Sequence, residues 1–508
     1  MMQKHYDVIV VGRSIGALSA AALLARRDFN VLSIGHHALP ATYKAAGHEL
    51  WRRAFTFLAA TSPAWRRIVI ELAQSQTWKR RLVPASPMLQ AVAPGWRFEV
   101  PADPKRFARE VARELAGLGR VVEQLYDDLA RVNAAADDAF ASDATWPPGT
   151  FWERRETGRL AATLPYVHAE PDADLLGEFP RGHFYRRFVH ASALFATHLS
   201  TLPPPFAIAR HHGAWTRGLA SLPGGEAELE GFLVERIAAH GGTCWLNRRA
   251  KSVLLRRGVA AGVVLDGDDQ AMGCDFILTD LDGESLAALA GGQGIHKRAL
   301  REWPRITSTV GRFVVSLVVR REGLPEELGP EALFFSGASW PNRDRPPALH
   351  VQRIDGPGET SLLVAELLLP DHGALPLTDA RAFVLRAVLE ELPFLDRHLV
   401  VVDSPHDGLP VWCFAPHRRD LDRASFGLPA QEPMLRQLEV DPPGYLGLAG
   451  EPVRGPIEKT LLLGRSVLPG LGQEGELLAA WAAAKLVTKS DRRKAMMRRD
   501  MWTRMEFG

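Results

Sequence analysis

The sequence predicts an α/β fold in which a Rossmann-like domain, built on a βαβ unit, is interleaved along the chain with a mixed-sheet plus helical domain. Three observations predict it. Residues 6–12, Tyr-Asp-Val-Ile-Val-Val-Gly, form a short β-branched run ending at glycine, the pattern of a strand buried on both faces. From Ile15 to Arg27 the pattern turns Ala- and Leu-rich, with Leu18, Ala21, Ala22 and Ala25 on one helix face, and Val31-Leu32-Ser33-Ile34 then opens a second strand. Strand, turn, helix and strand together have the length of a βαβ unit. The third observation lies at the other end of the chain. A strand at Thr460-Leu461-Leu462-Leu463 runs into Gly464-Arg465-Ser466-Val467-Leu468-Pro469-Gly470-Leu471-Gly472-Gln473-Glu474-Gly475 and then a helix, Glu476–Val487.

The first turn reads Gly12-Arg13-Ser14-Ile15-Gly16-Ala17. Against G-x-G-x-x-G/A it keeps the first glycine, allows Ala17 at the third position, and replaces the middle glycine by Ser14. That middle glycine lets the backbone approach a pyrophosphate on the helix N-terminus. Serine is the least intrusive replacement, and its hydroxyl can donate to a phosphate. The bland reading of such a turn is a tight glycine corner that binds nothing. The acid that would grip a ribose about 20 residues further on is missing. That position is Gly35, followed by His36 and His37. Backbone alone would hold the nucleotide, or its ribose would carry a phosphate, or no nucleotide binds.

Between the two ends, residues 51–135 read as helical. Ser62-Pro63 and Asp103-Pro104 supply N-caps with first-turn prolines, and Val122, Leu125, Leu129 and Val132 mark a further stripe. Residues 134–150 read as a loop. Phe184, Phe188, Ala191, Phe195, Leu199 and Leu202 form a wide apolar face that stops at Pro203-Pro204-Pro205. Such a face packs in a core or lines an apolar substrate tunnel. Leu222-Pro223-Gly224-Gly225 then leads into a helix over 226–240. Strands follow at 244–246, 251–255, 261–265 and 274–279, with hairpins at Arg257-Gly258 and Asp266-Gly267. Residues 311–319, 361–369 and 398–402 read as strands around a helix at 379–392.

The 508 residues suit about two to four domains at roughly 150 residues each. With 61 Lys+Arg against 59 Asp+Glu, the net charge of +2 leaves no overall electrostatic footprint for nucleic acid. The three cysteines, Cys244, Cys274 and Cys413, form no C-x-x-C, so a reducing, cytoplasmic setting is expected. No His/Glu spacing suggests a metal, and no signal peptide or spanning helix is expected.

Taken in order, these pieces resemble the phytoene desaturase branch of the FAD-dependent amine-oxidase-like oxidoreductase superfamily. Asp7–Ile34, the Pro-Gly-Gly segment through Thr279, and the C-terminal strand, Gly-rich turn and helix carry the resemblance. It implies a discontinuous FAD-binding domain over 1–75, 218–295 and 455–488, with a substrate domain over 76–217 and 296–454. FAD is then the implied cofactor. Gly12, Arg13, Ser14, Ile15, Gly16, Ala17, Gly35 and His36 would be placed along it at the first βαβ unit. Ala250 would meet the adenine, and Gly464, Arg465, Leu471 and Gly472 would close the flavin end. The implied activity is hydride transfer through flavin, of desaturase, saturase or isomerase type, on an apolar isoprenoid or lipid-like small molecule. Four positions depart from the family pattern. Ser14 and Gly35 are two of them; Arg465 stands where an acid is expected, and the Gly-Gly-basic motif is absent from Leu39-Pro40-Ala41-Thr42-Tyr43-Lys44.

No catalytic acid–base pair is singled out. His211 and His212 precede the Pro-Gly-Gly segment and are candidates to approach the flavin, against the plainer reading of two structural histidines. Asp407 reads as a turn residue. Residues 489–508 form a basic amphipathic tail, with Met497, Met501 and Met505 beside Trp502 among seven cations. The tail would dock on a partner or at the inner face of a membrane, or pack on its own domain. Two rivals stay open: a flavin-free binding or scaffold protein that keeps the fold, and an NADP-dependent oxidoreductase suggested by Gly35 and Arg13.

Overall fold

The computed structural model of the protein describes residues 4–36, 39–167, 174–268, 270–337, 348–356, 358–371, 375–414 and 417–490. Its first sheet is organised by five parallel strands in the order Thr243–Trp245, Val31–Ile34, His5–Val11, Ala271–Thr279 and Thr460–Leu462. An antiparallel hairpin, Ala250–Arg256 with Val259–Leu265, extends it beside the first half of Ala271–Thr279. Val8, Ile9 and Val10 are fully buried, as a strand covered on both faces requires.

The helix Ile15–Arg26 starts where Ser14, in extended backbone, accepts a hydrogen bond from the Ala17 amide at 3.2 Å. It packs against Gly225–Ala239 and the closing helix Gly472–Ser490. Alanines on both sides (Ala20 and Ala21, Ala479 and Ala483, none of them exposed) let the first and last helices approach closely. At the end of this packing Arg27 and Glu71 form a buried two-pronged ion pair at 2.6 and 3.0 Å, and Arg27 also donates to Thr488.

The second sheet has ten strands, centred on the 16-residue strand Arg305–Arg320. It pairs antiparallel with Thr360–Pro370 on one side and with Leu399–Asp403 and Leu435–Asp441 on the other. Period-two alternation gives this sheet two faces. Phe313, Val315, Leu317, Leu363, Ala365 and Leu367 pack on the helix Leu377–Glu391. Val314, Val318, Leu362 and Val364 face the other way, onto Tyr43 and Trp51, and Arg312, His350 and Glu366 share that side.

Three sequence expectations are corrected. The helical stretch 51–135 contains a hairpin, Leu89–Ala93 with Trp96–Val100, whose first strand runs parallel to Glu331–Phe334 and joins the second sheet. Pro94-Gly95 turns it, with Gly95 at φ +70°. Its alternating Leu89, Ala91 and Phe98, Val100 pattern was the available signal. The loop predicted over 134–150 is helical as far as Ala141. The Phe184–Ala196 helix is core over most of its face, with Phe188 fully buried. Asp407 is more than a turn residue: its carboxylate pairs with the buried Arg381 guanidinium at 2.6 Å. The tail over 489–508 lies outside the described residues apart from Lys489 and Ser490. Among the described residues no helix is long and apolar enough to cross a membrane.

The Arg27–Glu71 pair generates a stability prediction. Glu71→Ala leaves a buried guanidinium uncompensated and should cost about 3–5 kcal/mol. Glu302→Ala breaks the exposed Arg298–Glu302 pair and should leave the urea midpoint unchanged. Urea unfolding of both variants checks the contrast.

Candidate functional site

A cavity of about 310 Å³ opens between the two sheets. One wall is the first turn of the Ile15–Arg26 helix, with Arg13, Ser14 and Ile15. The facing helix Gly225–Ala239 adds Glu226, Leu229, Glu230 and Leu233, and the closing helix adds Gln473 and Glu476. The opposite wall belongs to the second sheet and carries Arg312, His350, Glu366 and Leu435. His198 and Arg465 lie between, and Phe55, Leu58, Phe195 and Trp215 supply apolar surface.

At the nucleotide-type wall the helix start is already occupied. Asp280, directly after the strand Ala271–Thr279, accepts from the Arg13 amide at 2.8 Å and the Ser14 amide at 2.7 Å through one carboxylate oxygen. These amides are among the unpaired donors of a helix start, where an anion binds best. Gly12, at φ +134°, has no room for a side chain: a Cβ there would lie 1.9 Å from Asp280 Oδ1. Burial pushes the Asp280 carboxyl up, opposed by the Ser14 and Arg13 amides. The Arg13 side chain is held by Glu230, with Nη2 at 2.6 Å, and Arg53 by Glu226, with Nη2 at 2.7 Å.

Between the walls, Arg465 donates from Nε to His198 Nδ1 at 3.0 Å and from Nη2 to Gln437 Oε1 at 2.7 Å. Because a guanidinium only donates, His198 Nδ1 accepts. The His198 proton therefore sits on Nε2, which donates to Glu476 Oε1 at 2.8 Å. Burial, reinforced by Arg465 and Arg312, lowers the His198 pKa and keeps the ring neutral. Burial also raises Glu476 to about 7 against the pull of Arg465, and lowers Arg465 to about 9 with help from Arg312.

At the second-sheet wall, His350 and Glu366 are directly opposed on adjacent strands. His350 Nε2 donates to Glu331 Oε2 at 2.7 Å, and its Nδ1 lies 3.9 Å from Glu366 Oε2. Burial would lower the His350 pKa, but the Glu331 hydrogen bond and the charges of Glu331 and Glu366 outweigh it and hold it at about 9. The ring is an imidazolium at neutral pH. Glu366 Oε2 accepts from Arg312 Nη1 at 2.7 Å, while Glu366 Oε1 is buried with no hydrogen-bond partner.

Of the residues singled out in the sequence, Arg13, Ser14, Ile15 and Arg465 line this cavity together. Gly12, Gly16 and Gly464 sit behind its wall as close-approach points. A Cβ on Gly464 would lie 2.0 Å from the Asp280 carbonyl, and one on Gly16 2.4 Å from the Leu463 carbonyl. Ala17 is buried in the helix. Gly35, His36 and Ala250 do not line the cavity; Gly35 and His36 follow the strand Val31–Ile34, whose Ile34 carbonyl accepts from the Gly12 amide at 2.8 Å, and Ala250 opens the hairpin. Leu246 O would lie 1.9 Å from a Gly35 Cβ, so no acidic side chain fits there. Leu471 is buried at the turn before the closing helix, and Gly472 (φ +54°) packs against Ala196 O. Arg465, in place of the expected acid, ties the turn to the second sheet.

The two candidate histidines are elsewhere. His211 bonds Gly470 O at 2.9 Å and His212 bonds Ser192 Oγ at 2.8 Å. Burial pushes them down to about 4 and about 3, so both are neutral structural groups off the cavity. The cavity's own histidines, His198 and His350, and its acids Glu226, Glu230, Asp280, Glu366 and Glu476 were missed. Only Asp280 carried a usable signal, its place at the end of a strand beside the first one.

No protein-family model and no curated protein matches the sequence. Solved structures do match in fold. An oxidoreductase from Methanosarcina mazei shares 13% identity at a TM-score of 0.55, over 94% of this chain and 99% of that one. A putrescine oxidase bound to putrescine shares 13% at 0.52, over 95% and 99%. Cyclohexylamine oxidase from Brevibacterium oxydans shares 14% at 0.51, over 96% and 99%. Across nearly its whole length the chain is similar in fold to these oxidoreductases.

Proposed function

We propose that the chain is a flavin-dependent oxidoreductase that takes FAD along the first sheet, with its flavin end in the cavity between the sheets. The observation that carries this reading is the position of that cavity. It begins at the first turn of the βαβ helix and ends at the second sheet, in a fold similar to that of two amine oxidases. The glycines are of the kind a dinucleotide fold uses: Gly16 and Gly464 let backbone carbonyls come close at the helix start, and Gly12 lets the Asp280 carboxylate reach it. The Arg13 and Ser14 amides would hold the pyrophosphate, Ala250 would lie near the adenine, and Arg465 would border the flavin end. One exchange goes with this fit: the pyrophosphate would take the amides that Asp280 now holds.

Bound flavin supplies hydride transfer, the step no side chain can perform. The chain's own residues orient substrate and exclude water. Phe55, Leu58, Phe195, Trp215 and Leu435 would hold an apolar body of isoprenoid or lipid-like type, in a desaturase, saturase or isomerase reaction. The His198–Glu476 pair offers a proton-holding group near neutral pH, since Glu476 sits at about 7. The Asp280 contact favours one second reading, a protein that keeps the fold and satisfies the helix start internally, without flavin.

Purified protein titrated with FAD, freed of excess and read by absorption, should show flavin bands at one equivalent per chain. A colourless protein would overturn the flavoenzyme reading in favour of the second one. Asp280→Ala frees two amides and removes a charge from the pyrophosphate's path. It should tighten FAD about tenfold, equivalent to about 1.4 kcal/mol, in a fluorescence-quenching titration.

A further inference from the structure

Every cation that lines the cavity, with one exception, touches a carboxylate. Arg13 pairs with Glu230 and Arg53 with Glu226; Arg312 pairs with Glu366 at 2.7 Å, and the His350 imidazolium with Glu331 at 2.7 Å. The exception is Arg465. Among the described residues its guanidinium meets only neutral acceptors: His198 Nδ1, the Arg436 carbonyl and Gln437 Oε1. A guanidinium carries five N–H donors, so one hydrogen on each terminal nitrogen is left without an acceptor among these residues. Nor is the group sealed in. Gly464 and Ser466 on either side are buried, whereas Arg465 is only half-buried and borders the cavity.

A desolvated cation without a counterion is costly. Burial, reinforced by Arg312, lowers Arg465 to about 9, which still leaves it charged at neutral pH. Its surroundings select an anion. Arg312 and Arg53 act on it with the same sign, Glu476 and Glu366 with the opposite one. Glu366 is already held by Arg312. Glu476, raised to about 7 by burial and bonded to His198, opposes an anion less than a fully ionised acid would. An ammonium would instead add a like charge to Arg465, Arg312 and Arg53. A carboxylate brings two oxygens to the two unused N–H groups. The surface on either side is apolar. Leu435 precedes Arg436, whose carbonyl holds Arg465, and Phe195 lies three residues before His198; both line the cavity, with Leu58 and Trp215.

We propose that Arg465 is the specificity-determining contact for a carboxylate head group on an otherwise apolar substrate. The inference rests on the flavoenzyme reading in calling that occupant the substrate, and it narrows the lipid-like molecule of that reading to an acid with an apolar body. A phosphate of the dinucleotide is the other anion that these N–H groups would accept, and competition with FAD separates the two sources.

The test titrates the full chain, without and with saturating FAD, with octanoate, 1-octanol and octylammonium, read by calorimetry and Trp fluorescence. Wild type should bind octanoate in both states, more tightly than either other probe. Arg465→Gln should weaken octanoate about tenfold and leave octanol within about twofold. Arg465→Lys keeps the charge without the planar fork and should recover part of the loss. A general loss of packing would weaken octanoate and octanol alike, and a thermal melt of each variant identifies it. Where Arg465→Gln does not fold, the wild-type order of the three probes and the Arg465→Lys titration decide. Octanol or octylammonium bound as tightly as octanoate, equal octanoate binding by wild type and Arg465→Gln, or no probe bound would each overturn the proposal. So would displacement of octanoate by FAD, which assigns the anion site to the dinucleotide. FAD uptake without an octanoate preference keeps the flavoenzyme reading and sinks the acid; Arg465-dependent octanoate binding by a chain that takes up no FAD keeps the carboxylate site and sinks the flavoenzyme reading.

Discussion

Three parallel strands, His5–Val11, Ala271–Thr279 and Thr460–Leu462, end side by side, and the residue that follows the middle one governs what can stand at all three ends. Asp280 presents its carboxylate to the backbone amides of the first helical turn and its carbonyl to the last strand's exit. Side chains are therefore impossible at Gly12 and Gly464, on either side of it. The helix start needs an anion to satisfy its unpaired N–H groups, and here a carboxylate of the same chain meets that need.

The second sheet solves a different problem with the same strand periodicity. One face of Arg305–Arg320 and Thr360–Pro370 is apolar and buries a helix. The other face changes along its length from valine and leucine to arginine, histidine and glutamate where it meets the cavity. Charges placed there cost desolvation unless they are paired. Arg312, His350, Glu331 and Glu366 pair almost completely, and the exception lies at the cavity. Asp280 and Glu366 thus mark the two walls in opposite senses: on one side the chain fills its own anion site, and on the other it leaves an acceptor unfilled.

The contrast explains what could be read from the sequence. The βαβ unit was legible because a β-branched run, a glycine turn and an Ala/Leu helix are local signals, each set by the conformation of a few consecutive residues. The C-terminal strand, turn and helix were legible for the same reason. The hairpin at Leu89–Val100 was hidden among helical neighbours, and its stability comes from a parallel partner over 200 residues away. The cavity's charged wall was out of reach in principle. His350 and Glu366 meet by strand register, Arg465 and His198 by the packing of a turn on a distant helix end, and nothing in their spacing announces either. His211 and His212 drew attention because they are adjacent, yet they point into a core, where burial keeps them neutral.

Helix Gly225–Ala239 sharpens the functional consequence. Its Glu226 and Glu230, four residues apart and so on one face, each engage an arginine that would otherwise offer a positive charge to the cavity. With Asp280 at the helix start, the nucleotide-type wall is neutralised by three acids of the chain itself. An anion bound there would meet no free cation among these groups and would have to exchange contacts rather than add them. The energy of such an exchange is a difference between two anions at one helix start, smaller than the energy of filling an empty one. On the facing wall, Arg312, His350, Glu331 and Glu366 hold one another as a buried charged cluster.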